Sequence, residues 1–135
     1  MAPRFIDTNV LIRYFTRDDE EKARRSLELL VRVERGLERV ATSPMVIFET
    51  VFTLQHSYHV PRGRIRELVL PIIGLRGLEL ANKRLYTIAF DLYVDHAISY
   101  ADAFNAAYMT WRRLDEIYSW DTDFDRLPGV ARVDP

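Results

Sequence analysis

The chain has 135 residues, 48% of them hydrophobic and 29% charged. That is enough for one domain with a real core and too apolar for a disordered chain. With no cysteine, disulfides, thiolate catalysis and cysteine zinc sites are excluded, and the longest apolar run, Leu68 to Leu75, is far short of the ~20 residues of a membrane span. The formal charge of −1 selects no partner, yet all nineteen basic residues except Lys22 and Lys83 are arginine. Arginine grips phosphate in a bidentate way that lysine does not, although a coding bias explains the ratio equally well. The start of the chain lacks the basic, then apolar, then small-residue layout of a signal peptide, so a cytoplasmic domain is expected.

Pro3 to Ile6 predicts a short strand that ends at Asp7-Thr8-Asn9, followed by a short helix through Val10, Leu11, Ile12, Tyr14 and Phe15. From Asp19 to Arg35, Ala23, Leu27, Leu30 and Val31 recur at helical spacing on a charged background. Val40-Ala41 reads as a second strand, and Ser43-Pro44 as a cap with proline at the first helical position. The helix from Pro44 to about Ser57 carries Val46, Ile47, Phe48, Val51, Phe52 and Leu54 round most of its circumference, which predicts a buried helix whose one acid is Glu49. Arg62 to Ile73 predicts a further helix, and Leu78-Glu79-Leu80 a strand. Asn82 then caps a helix with Leu85, Ile88, Ala89 and Leu92 on one face, and Ser99 caps another running to about Arg113. Ile117 to Trp120 reads as a buried strand ending at Asp121-Thr122-Asp123, and Val130 to Val133 as an edge strand. Alternating strands and helices predict an α/β domain over 1–135 with a mostly parallel sheet.

Such sheets place their sites at the carboxyl ends of strands, which directs attention to four acids. Asp7 follows the first strand and Asp121 the strand Ile117 to Trp120; Glu49 sits in the second turn of its helix, and Asp102 in the first turn after Ser99. Each of three has a structural alternative: Asp7 as a helix cap, Asp102 in a capping box with Ser99, Asp121 in an Asx turn. Glu49 differs, since an acid buried on an apolar helix needs a partner and no Lys or Arg lies within two turns. Two ionised carboxylates ~4 Å apart repel by about 1 kcal/mol in water and roughly 4 kcal/mol at a protein-like dielectric. A cluster of four therefore needs protons or a cation, and hard oxygen ligands without His or Cys select Mg²⁺ or Mn²⁺. A divalent ion with open water positions suits phosphodiester hydrolysis.

Phe5-Ile6-Asp7-Thr8-Asn9-Val10-Leu11, Glu49 in its apolar helix, Ser99-Tyr100-Ala101-Asp102-Ala103 and Tyr118-Ser119-Trp120-Asp121-Thr122-Asp123-Phe124 together resemble PIN domains. Among these the chain is most similar to the VapC-type toxins of bacterial and archaeal toxin–antitoxin pairs, in order and over its whole length. The resemblance implies a three-layer α/β/α sandwich and a Mg²⁺- or Mn²⁺-dependent endoribonuclease. It makes Asp7 and Asp102 the principal metal-binding acids and Glu49 and Asp121 the rest of the quartet. Asn9 and Ser119 match supporting polar positions; Asp123 and Asp125 could each assist, and Asp125 could equally cap a turn before Pro128-Gly129. It further implies a homodimer and a small antitoxin whose C-terminal segment enters the active-site groove.

Without the four site acids the remaining formal charge is +3, counted from −1, which suits an RNA backbone. Arg13, Arg17 and the Arg62, Arg64 and Arg66 group are the candidates to hold it, with ordinary helix-surface arginines as the alternative. Trp111, Trp120 and Tyr108 could stack on unpaired bases, although core or dimer packing is the weightier reading. His56, His59 and His96 complete no zinc site and read as structural or solvent-facing. The rivals are a receiver-like phosphoacceptor domain, which needs a partner lysine where only Lys83 is available, and a non-catalytic PIN-like binding module. A phosphatase with an Asp-x-Asp start is disfavoured by Asn9 in the second position.

Overall fold

The first three strands lie side by side in one sheet, the second of them at its centre. β1 (Arg4–Phe5) pairs parallel with β2 (Val40–Ala41), which pairs parallel with β3 (Leu78–Glu79). Between them run α1 (Thr8–Thr16), α2 (Glu20–Glu34), α3 (Pro44–His56) and α4 (Arg62–Ile73). The computed structural model describes residues 1–135 and falls into two compact units, Met1–Lys83 and Arg84–Pro135. α5 (Lys83–Asp95) opens the second unit, followed by α6 (Tyr100–Arg112), β4 (Glu116–Tyr118), a 3₁₀ turn over Thr122–Arg126 and β5 (Ala131–Val133), which pairs parallel with β4. Every strand pairing is parallel, the α/β class that the alternation of elements predicts. No helix is long and apolar enough to cross a membrane.

Local chemistry sets most boundaries. Asp19 caps α2 by accepting from the Lys22 N–H, and Ser43 caps α3 by accepting from Val46 N–H ahead of Pro44 at the first helical position. The first unit buries an aliphatic cluster in which Val40 and Leu78 from β2 and β3, and Ile6 directly after β1, meet Leu11, Leu30, Val33, Val46 and Ile72 from the helices. Gly77 carries no side chain because none fits: a Cβ there lies 2.7 Å from the Val33 carbonyl oxygen and 2.9 Å from that of Glu38. The second unit has an aromatic interior, with Phe90 against Tyr93 and Tyr100 at centroid separations of 6.3 and 5.3 Å, and Tyr86 against Phe104 at 5.5 Å.

Three sequence expectations are corrected. α3 is buried along Val46, Ile47, Thr50, Val51 and Leu54, but Met45 (60% exposed), Glu49, Phe52 (52%) and His56 form an exposed face. An all-round apolar composition does not say which side meets the core. The buried face of α5 is Leu85, Tyr86, Ala89, Phe90 and Tyr93, with Ile88 exposed, and Asn82 precedes it at a φ of +60° in place of the extended backbone of a cap. β4 is exposed apart from a half-buried Ile117, since a two-stranded ladder covers only part of its side chains.

Candidate metal centre

The second unit gathers acids from two elements. Ser99, with extended backbone, caps α6, its Oγ accepting from the Asp102 N–H at 3.1 Å, so Asp102 projects from the first turn. The capping alternative for Asp102 is thus real: its backbone N–H donates to Ser99, and its carboxylate also interacts with that residue. After β4 the ladder continues one residue, with Ser119 N–H donating to the Val133 carbonyl at 3.2 Å. The Ser119 Oγ accepts from Asp121 N–H at 3.0 Å, and the Asp121 Oδ1 accepts from Asp123 N–H at 2.9 Å. The structural alternative for Asp121, an Asx turn, is thus present, and it starts the 3₁₀ segment.

One carboxylate oxygen from each of Asp102, Asp121 and Asp123 lies within 4.8 Å of the others. Asp102 and Asp123 are half-buried and Asp121 is exposed. Burial pushes the Asp102 carboxyl above the usual carboxylate range, the charge of Asp121 pushes it further, and a hydrogen bond with Ser99 acts the other way. Arg126 binds Asp123 at 2.5 Å and offsets one of the three charges. The remaining charge and the all-oxygen donor set fit a hard divalent cation. Asp125 stands apart: it pairs with Arg132 at 3.1 Å, and Arg132 also reaches Asp134 at 2.6 Å and the Ser119 carbonyl at 3.1 Å.

In the first unit Asp7 occupies the N-cap position of α1 with extended backbone, yet its side chain makes no capping hydrogen bond. The structural alternative for Asp7 therefore lacks the bond that defines it. The next residue, Thr8, donates from Oγ1 to the Glu49 Oε2 at 3.4 Å, which ties the second turn of α3 to the strand end that carries Asp7. Glu49 is exposed, so the reasoning that it is a buried acid in need of a partner is corrected. Asn9 lines a pocket with Arg13. Arg17 takes a left-handed φ of 57° and lines a separate pocket with Glu20, Glu21 and Arg24.

Other candidates separate in the same way. Arg64 pairs with Glu67 at 3.3 Å, and Arg62 and Arg66 are likewise engaged. Trp111 (54% exposed), Trp120 (72%) and Tyr108 are exposed, so core packing is not their role. The ring of His56 stacks on Phe52 at 4.4 Å, and no histidine joins the acidic group. Lys83, which a receiver domain would need beside its acids, donates to the Leu75 carbonyl at 2.8 Å. Lys22 and Arg25 also line the Asn9 pocket; their helix offers many charges and no sequence pattern that singles them out.

A family model described as PIN domain matches residues 4–130. No curated protein matches the chain.

Proposed function

The chain belongs to the PIN-domain family, and from that premise we propose that it is a metal-dependent endoribonuclease acting as the toxin of a type II toxin–antitoxin pair. The nuclease class follows from the family. The observation that supports this metal-dependent reading is the convergence of Asp102, Asp121 and Asp123 within 4.8 Å. We assign Asp7, Glu49, Asp102 and Asp121 as the ligands of Mg²⁺ or Mn²⁺, with Asp123 assisting and Asn9 and Ser119 in support. A divalent ion bound there makes water a better nucleophile and offsets charge that builds up on the phosphate.

The chain's own residues do the positioning. Ser99 and Ser119 fix the backbone from which Asp102 and Asp121 project, and Arg126 holds Asp123 by a charged hydrogen bond. A substrate phosphate approaches such an acidic group only when cations compensate it. The matched span crosses both units, and we treat 1–135 as one functional domain. The motifs that resemble VapC-type toxins support a homodimeric, cytoplasmic protein held inactive by a small antitoxin.

The test is incubation of the purified protein with single-stranded and structured RNAs, with and without Mg²⁺ or Mn²⁺. Cleavage is expected only with metal. Asp102→Asn and Asp121→Asn should lower it by more than about a hundredfold, beyond what loss of a supporting group costs. Asp125→Asn, at a residue held by Arg132, should retain it. Undiminished cleavage by both site variants sinks the assignment. Induced expression should arrest growth for the wild type and not for Asp102→Asn; growth unaffected by an active nuclease removes the toxin role alone.

A further inference from the structure

α1 and α2 enclose a pocket of about 300 Å³ lined by Asn9, Val10, Arg13, Lys22, Arg25 and Ser26. Three of the six are cations and none is an acid. No carboxylate forms an ion pair with Arg13 or Arg25, and Lys22 comes only to 4.0 Å of Asp19. The contrast on the same helix is direct. Arg24, one residue from Arg25, is held by Glu21 at 2.7 Å and by Glu28 at 2.5 Å. Arg32 is held by Glu38 at 3.1 Å. The neighbouring pocket of about 410 Å³ mixes Arg17 and Arg24 with Glu20 and Glu21.

Grouping three like charges with one carboxylate partner, Asp19 at 4.0 Å from Lys22, costs energy that an anion recovers. We propose that this pocket binds a phosphate group of an RNA backbone, with Arg13, Lys22 and Arg25 as the cationic contacts and Asn9 as a neutral donor. The choice of RNA rests on the nuclease reading, because the pocket opens on Asn9, two residues past Asp7. The arginine fork matches phosphate oxygens in a bidentate way, and Lys22 acts as a point charge. Contacts to phosphate carry no base information, so the pocket sets where the strand lies and leaves sequence choice to other residues.

The test needs no cleavage. Fluorescence anisotropy of a labelled single-stranded RNA is followed in EDTA across a range of KCl concentrations. Arg25→Gln and Lys22→Gln, both at exposed positions, should each weaken binding and flatten the slope of log affinity against log salt by about 0.7. Arg24→Gln removes the same charge from the same helix and should leave affinity and slope unchanged. Equal losses in all three variants, no loss in Arg25→Gln and Lys22→Gln, or no RNA binding by the wild type each overturns the proposal. Inorganic tripolyphosphate is the second arm. It should displace RNA from the wild type, and tripolyphosphate binding without RNA binding would remove the RNA backbone as the ligand. An intact pocket in a protein that cleaves nothing sinks the nuclease reading alone, while normal cleavage with unaltered Arg25→Gln binding sinks the pocket alone.

Discussion

The two units gather opposite charges, each only partly compensated. The first, built round an aliphatic cluster on three parallel strands, collects Arg13, Lys22 and Arg25 round a pocket with no acid in its lining. The second, built round aromatic rings packed edge-on and tilted, collects three carboxylates with only Arg126 against them. Other charges on the same elements are paired, as Arg24 with Glu21 and Glu28 or Arg132 with Asp125 and Asp134. The difference teaches where to look for ligands. Like charges set side by side with few counter-charges among them favour a counter-ion from outside the chain.

The sharpest break in that comparison is a metal titration followed by thermal melting. Mg²⁺ or Mn²⁺ should raise the melting temperature of the wild type, by a stabilisation of about 2.7 kcal/mol when the ion is at a hundred times its dissociation constant. Asp102→Asn and Asp121→Asn should lose most of that gain. In metal-free buffer the same variants should melt at or above the wild type, because repulsion within the acidic group is relieved. Arg25→Gln, in the other unit, should keep the full metal response. Equal stabilisation of Asp102→Asn and wild type would place the ion elsewhere.

The next effect belongs to the first unit, where backbone contact in place of charge fixes the geometry. Gly77→Ala puts a methyl group 2.7 Å from the Val33 carbonyl oxygen and 2.9 Å from the Val33 Cγ1. Its own carbonyl accepts from Val40 N–H at 2.8 Å, so the clash is relieved only by moving β3 or the end of α2. A destabilisation of about 1 to 3 kcal/mol is expected from overpacking, read from denaturant melts. An unchanged midpoint would show that this approach is softer than its distances imply.

The parts legible from sequence were those governed by local rules. The Ser43-Pro44 start, the bounds of α4 and the Asx turn at Asp121 each follow from residues a few positions apart. Asp121 stands out because it follows β4 and Asp102 because it stands in the first turn after Ser99; that one oxygen of each lies within 4.8 Å of Asp123 is a tertiary fact. What failed depended on tertiary contact. α3 is apolar on both sides, so helical periodicity gave no face and the exposure of Met45 and Phe52 stayed hidden. On α5 the same ambiguity displaced the buried face onto Tyr86, Phe90 and Tyr93. The basic pocket was illegible for a sharper reason. Glu21 and Glu28 lie within helical reach of both Arg24 and Arg25, and only the folded chain assigns both acids to Arg24.

The smallest expected effect tests the aromatic interior of the second unit. The Tyr86 hydroxyl is buried without a hydrogen-bond partner, and burial pushes its ionisation up from 10.0 to about 12. A buried hydroxyl left unpaired costs free energy, so Tyr86→Phe should stabilise the protein by about 1 kcal/mol at neutral pH. The pH dependence has a definite sign. Below pH 10.0 the phenol is neutral in both states, and ionisation contributes nothing. Above it the unfolded chain loses the proton first, and the wild type loses stability as pH rises towards the folded value of about 12. Tyr86→Phe lacks that loss, so its advantage should widen across this window, measured by denaturant melts at successive alkaline pH values. A variant less stable than the wild type at neutral pH would mean that the hydroxyl has a partner, and that this interior is as fully satisfied as the aliphatic cluster of the first unit.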